Sequence, residues 1–226
     1  MKPSYFLRPA LAGISLAIVA TLCTGLARAA LPAGFSDSLV AALPQPTALA
    51  FTPDGRMLIA TQPGQIHVYQ NGELYPTPAL DLSLDNRVCS NGERGLLGVA
   101  VDPEFSSNRF IYLYYVFNKF GICPMAQPSS PENPVSRVAR FTLAPSNTVN
   151  LNSEQVLVDN IPMARSHVSG DLHFGKDGYL YASVGDGLCD YALDSGCAGN
   201  NDAARDSHVL VGKILRITRD GGHPAE

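Results

Sequence analysis

Proton-transfer chemistry in this sequence would rest on its five histidines and on an aspartate held between glycines. His167 follows the loop-like run from Pro162 to Ser166 and precedes an apolar alternation. Asp186 comes 19 residues later, in Gly185-Asp186-Gly187. An imidazole, with an unperturbed pKa of about 6.5, is available as a base at neutral pH. A carboxylate on its other nitrogen would fix the tautomer and stabilise the imidazolium that forms. Such a pair suits alcohol oxidation by hydride transfer, in which a base must take the hydroxyl proton as the carbonyl develops. Taken without context, His167 is a solvated loop histidine and Asp186 a turn aspartate holding backbone N–H groups. His173 alternates with Phe174 along a strand, so it faces the opposite side and reads as structural. His67, His208 and His223 carry no supporting context. Asp190, Asp194, Asn200, Asn201 and Asp202 read as solvated turn residues rather than metal ligands.

The elements that must position such a pair are short. Residues 1–29 are set apart as a secretory signal: Lys2 and Arg8 are basic, Ala10 to Leu22 is apolar, and Ala27-Arg28-Ala29 is a small-x-small cleavage pattern. The chain from Ala30 onward is then an exported protein with no membrane span. Every acidic residue lies in that part, so it is more acidic than the whole-chain charge of −4. This argues against nucleic acid and anionic membrane surfaces as partners. Of the cysteines there, Cys189 and Cys197 bracket one short loop, which favours pairing them with each other and Cys89 with Cys123. Four cysteines allow three connectivities, and the other two stay open.

Strands are predicted at Met57–Thr61, Gln65–Tyr69, Phe110–Tyr115, Tyr179–Val184 and Gly212–Ile217, each following or preceding a turn signal such as Pro53-Asp54-Gly55 or Lys176-Asp177-Gly178. Three segments superpose: Ala48 to Gly55, Gly98 to Phe105 and Gly170 to Gly178. Phe51, Val101 and Phe174 fall at equivalent places, 50 and then 73 residues apart. The longer interval contains an irregular insertion from Asn118 to Pro134. A strand–turn–strand unit recurring at roughly 40 to 50 residues is a propeller-blade period. The expectation is all-β, with about three blades of an incomplete propeller. Within it, the neighbours Glu93 and Arg94 read by default as an ion pair between blades.

Three stretches together resemble the glucose/sorbosone dehydrogenase family of pyrroloquinoline quinone enzymes. They are Glu93-Arg94-Gly95-Leu96-Leu97-Gly98 running to Phe105, His167-Val168-Ser169-Gly170-Asp171-Leu172-His173-Phe174 running to Asp186, and Gly212-Lys213-Ile214-Leu215-Arg216-Ile217. The likeness runs from about Leu43 to the end. It implies a six-bladed propeller with the quinone over its central channel and a calcium ion polarising the cofactor. It places the catalytic base at His167 and its orienting carboxylate at Asp186. The family's substrate-contacting positions fall on Glu93, where the glucose branch has glutamine, and on Ser166, where it has aspartate. Glucose specificity is therefore not implied. The expected reaction is oxidation of an aldose at its anomeric hydroxyl, with an unspecified electron acceptor, in the periplasm or outside the cell. The residues that clamp the quinone and calcium lie mainly in the family's second half. The chain is accordingly expected to be an N-terminal fragment, inactive alone. The other readings are a non-enzymatic binding propeller, as in hedgehog-interacting relatives, and a calcium-dependent lactonase-type hydrolase.

Overall fold

Apolar runs of five to eight residues, broken by turns, leave little choice but antiparallel strands. The computed structural model describes residues 31–125, 132–192 and 195–225. The expected leader lies outside the described residues. In the unit from Leu39 onward the strands form three sheets. The first contains β1 (Pro46–Phe51), β2 (Met57–Thr61), β3 (Gln65–Gln70), β4 (Glu73–Leu74) and β5 (Leu80–Asp81), with β5 paired to β3. The second is β6 (Leu96–Val101), β7 (Phe110–Phe117), β8 (Val135–Thr142) and β9 (Gln155–Pro162). The third is β10 (Ser169–Phe174), β11 (Leu180–Val184) and β12 (Lys213–Ile217). These are three propeller blades. The longest described helix, Phe105–Asn108, has four residues, and no described helix is long and apolar enough to cross a membrane.

The repeat seen in the sequence is the first strand of each blade. Phe51 pairs with Met57, Val101 with Ile111 and Phe174 with Leu180, each closing its first strand against the second. These first strands come together and line one open groove of about 370 Å³, with Leu49, Val99 and Leu172 among its walls. Their approach is close. A Cβ on Gly98 of β6 would lie 2.1 Å from the carbonyl oxygen of Gly170, so the Leu-Leu-Gly motif needs its glycine for blade packing. His173 faces away from Phe174 as expected. It looks into the open groove rather than a packed interior, 78% exposed and 3.0 Å from Asp171.

The second strand of the second blade, β7, is buried on both faces. Along β7, Ile111, Leu113 and Tyr115 pack with Leu58, Ile66 and Leu82 of the first blade. The alternate residues Tyr112, Tyr114 and Val116 pack with Leu172, Leu180 and Ala182 of the third. The two-residue period of a strand thus sorts one apolar run into two cores.

Candidate active site

The loops that enter the blades from one side carry the residues of interest. Asn91, Glu93 and Arg94 lie between β5 and β6, Met163 to Val168 between β9 and β10, and Asp186 two residues beyond β11. A hydrogen bond from Gly185 N–H to the Val168 carbonyl, 3.0 Å, extends the β10–β11 pairing past the strands. This brings Asp186 beside His167, whose Nδ1 lies 2.9 Å from Asp186 Oδ1. The same oxygen accepts the Leu188 N–H at 3.1 Å. Asp186 therefore holds a turn and the imidazole together, so the two sequence readings of it are both realised. Its side chain is 34% exposed and that of His167 54%. His167 Nε2 has no hydrogen-bond partner among the described residues. With Nδ1–H donated to the carboxylate, Nε2 is the basic nitrogen and faces solvent.

The backbone beneath the imidazole is constrained. His167 sits in the left-handed region at φ 58°. Its N–H donates to Glu93 Oε2 at 2.6 Å, and its carbonyl accepts from Gly187 N–H at 3.2 Å. A Cβ on Gly185 would fall 1.8 Å from that carbonyl oxygen, so no other residue fits there without moving His167. Glu93 itself is exposed, and its Oε1 makes no hydrogen bond among the described residues. Ser166 is half-buried next to His167.

The expected Glu93–Arg94 ion pair does not form. The two side chains act separately on the same loop. Arg94 is wholly buried, and its guanidinium donates to the carbonyls of Ala164 (2.9 Å), Met163 (3.2 Å) and Pro124 (2.7 Å) and to Asn91 Oδ1 (3.0 Å). Burial lowers its pKa to about 10. Of the acidic residues around the Cys189 loop, Asp194 lies outside the described residues, Asp202 serves a turn with its carboxylate on Arg205 at 2.6 Å, and Asp190 is a correction. Asp190 is not solvated but 1% exposed, capping the N–H groups of Ala192 (3.1 Å) and Ser195 (3.2 Å). Both favoured disulfides, Cys89–Cys123 and Cys189–Cys197, are present. Among the described residues no group of three or more His, Cys, Asp or Glu side chains is placed to hold a metal.

With this geometry in place the comparisons become specific. The profile of the family described as Glucose / Sorbosone dehydrogenase matches residues 43–226. The chain belongs to the glucose/sorbosone dehydrogenase family. It is 29% identical to aldose sugar dehydrogenase YliI of Escherichia coli, over 93% of this chain and 51% of the relative. Human hedgehog-interacting protein is also 29% identical, over 67% of this chain and 22% of its own length. The solved PQQ-bound aldose sugar dehydrogenase of Streptomyces coelicolor superposes with a TM-score of 0.59 at 26% identity, covering 80% of this chain and 46% of that one. The chain thus spans about half the length, or less, of these relatives.

Proposed function

We propose that this chain carries the base-bearing half of a quinone-dependent oxidoreductase that removes a hydride from the anomeric carbon of an aldose. The observation that carries the reading is the His167–Asp186 contact, with Nδ1 engaged at 2.9 Å and Nε2 open. In this reading Nε2 takes the proton of the anomeric hydroxyl. Asp186 holds the ring in the required tautomer and offsets the charge of the imidazolium. Glu93 Oε1 accepts hydrogen bonds from sugar hydroxyls around the reacting carbon and the Ser166 hydroxyl accepts or donates them, while Glu93 Oε2 keeps the base in place by accepting its backbone N–H. Pyrroloquinoline quinone, when bound, supplies the hydride acceptor. The open Nε2 is the chemistry such an acceptor needs beside it. Among the described residues no group of three or more His, Cys, Asp or Glu side chains is placed to hold calcium, and no step is assigned to it. The two disulfides support an oxidising compartment, the periplasm or outside the cell.

The test is a dye-reduction assay of the full-length protein supplied with quinone and calcium across a panel of aldoses. His167→Gln should lower kcat by about 10²–10⁴-fold, and Asp186→Asn should lower it less. An active His167→Gln enzyme would overturn the reading. The match to hedgehog-interacting protein favours a second reading, a propeller that binds without turnover. That reading predicts an intact fold, no quinone binding and no dye reduction with any sugar.

A further inference from the structure

Among the described residues Arg94 is the largest side chain with no solvent exposure. Burying a guanidinium without a carboxylate partner costs several kcal/mol, and an apolar side chain would fill the same space more cheaply. What distinguishes Arg94 is the direction of its donors. Two reach the consecutive carbonyls of Met163 and Ala164. The adjacent Glu93 gives its own N–H to the next carbonyl, that of Arg165, at 3.0 Å, and takes the N–H of His167. Residues 93 and 94 therefore grip the carbonyls of 163, 164 and 165 and the amide of 167. This segment lies between β9 and β10, outside both strands. Nη1 reaches both Asn91 Oδ1 and the carbonyl of Pro124, next to the Cys123 half of the disulfide. The insertion between β7 and β8 is thereby tied to the same segment.

We infer that Arg94 is a positioning residue for His167: a buried fork that fixes the backbone entering the left-handed base, so that Nδ1 meets Asp186 and Nε2 faces the substrate side. The inference rests on the reading of His167 as the base. Its test needs neither quinone nor turnover. In the intact protein labelled at histidine, the His167 imidazole signals are assigned by their loss in His167→Gln and followed across pH. In Arg94→Met the titration midpoint should move by about half a unit or more, and the Nδ1–H signature of the Asp186 contact should weaken, while the exposed His223 titrates as before. A variant that is merely less stable, with His167 titrating as in the wild type, overturns the inference. Should Arg94→Met fail to fold, Arg94→Lys decides it by the same readout. Lysine keeps the charge but cannot span four acceptors in three directions, so a shift is expected, and an unchanged His167 spectrum overturns the assignment. A quinone enzyme that proves inactive with every sugar leaves this result untouched.

Discussion

His167 and Ser169 both hold left-handed backbone, at φ 58° and 60°, with only Val168 between them. Such conformations cost on the order of 1 kcal/mol each for residues with a Cβ and persist where neighbours over-determine them. Here the restraints are the Glu93 carboxylate on the amide, Gly187 on the carbonyl and Asp186 on the ring. The loop that carries His167 is thus strained locally and held by its surroundings. Gly185→Ala tests this at the level of single atoms. Its Cβ would occupy the space 1.8 Å from the His167 carbonyl oxygen, and the carbonyl must move. We expect a loss of about 1–3 kcal/mol, measured by urea unfolding, and loss of dye reduction in the full-length enzyme. Unchanged stability would mean that the close approach is relieved without cost.

At the scale of elements, the turn after each first strand repeats one device. Asp54 after β1 binds Arg56 of its own turn at 2.8 Å and Arg109 of the second blade at 2.7 Å. Asp102 after β6 takes the hydroxyl of Tyr112 at 2.7 Å and Arg219 of the third blade at 3.3 Å. Asp177 takes Tyr181 at 2.8 Å and Arg216 at 3.1 Å. Hydrogen bonding from Arg56, the largest influence, holds the Asp54 carboxyl well below the usual carboxylate range. Burial works to raise Asp102, but hydrogen bonds from Asn108, Tyr112 and the Glu104 amide, together with Arg219, leave it lowered. A carboxylate whose folded pKa is depressed contributes stability above its unfolded pKa, about 3.9, and that contribution is lost as pH falls through the folded value. Urea midpoints should therefore fall as the pH drops below about 4, and Asp102→Asn should flatten that dependence while costing about 1–3 kcal/mol at neutral pH. A midpoint that falls as steeply in Asp102→Asn as in the wild type would remove Asp102 from the account.

These turns, and the strands they join, were legible in the sequence because Pro-Asp-Gly-type signals and apolar alternation are local. β8 and β9 were not. Register shifts at Ser136/Val138 and Val138/Ala139 break the alternation along their pairing, and β9 is largely exposed or half-buried, with little apolar contrast. The contact of His167 with Asp186 was legible through their flanking motif. Arg94 was missed because its partners are mostly backbone carbonyls from distant segments, which no residue type reveals. An arginine set against the apolar run Gly95-Leu96-Leu97-Gly98 was the one available sign.

Across the whole molecule, cross-links and packing divide the work of holding the blades. The Cys89–Cys123 bridge closes 34 residues around β6 and β7. Its replacement by serines should cost about 2–5 kcal/mol, seen as a lower melting temperature; an unchanged one would show that packing alone holds the segment. The packing itself is asymmetric. The first and third blades each contribute to one described core, whereas β7 contributes to both, with Ile111 to Val116 all without solvent exposure. Opening a flanking blade disrupts one core, but opening β7 dissolves two. In deuterated water the amides of β7 should accordingly be the last to exchange, at rates set by global rather than local opening. Those of β9, largely exposed or half-buried, should exchange early. The strand between the two cores would then survive longest.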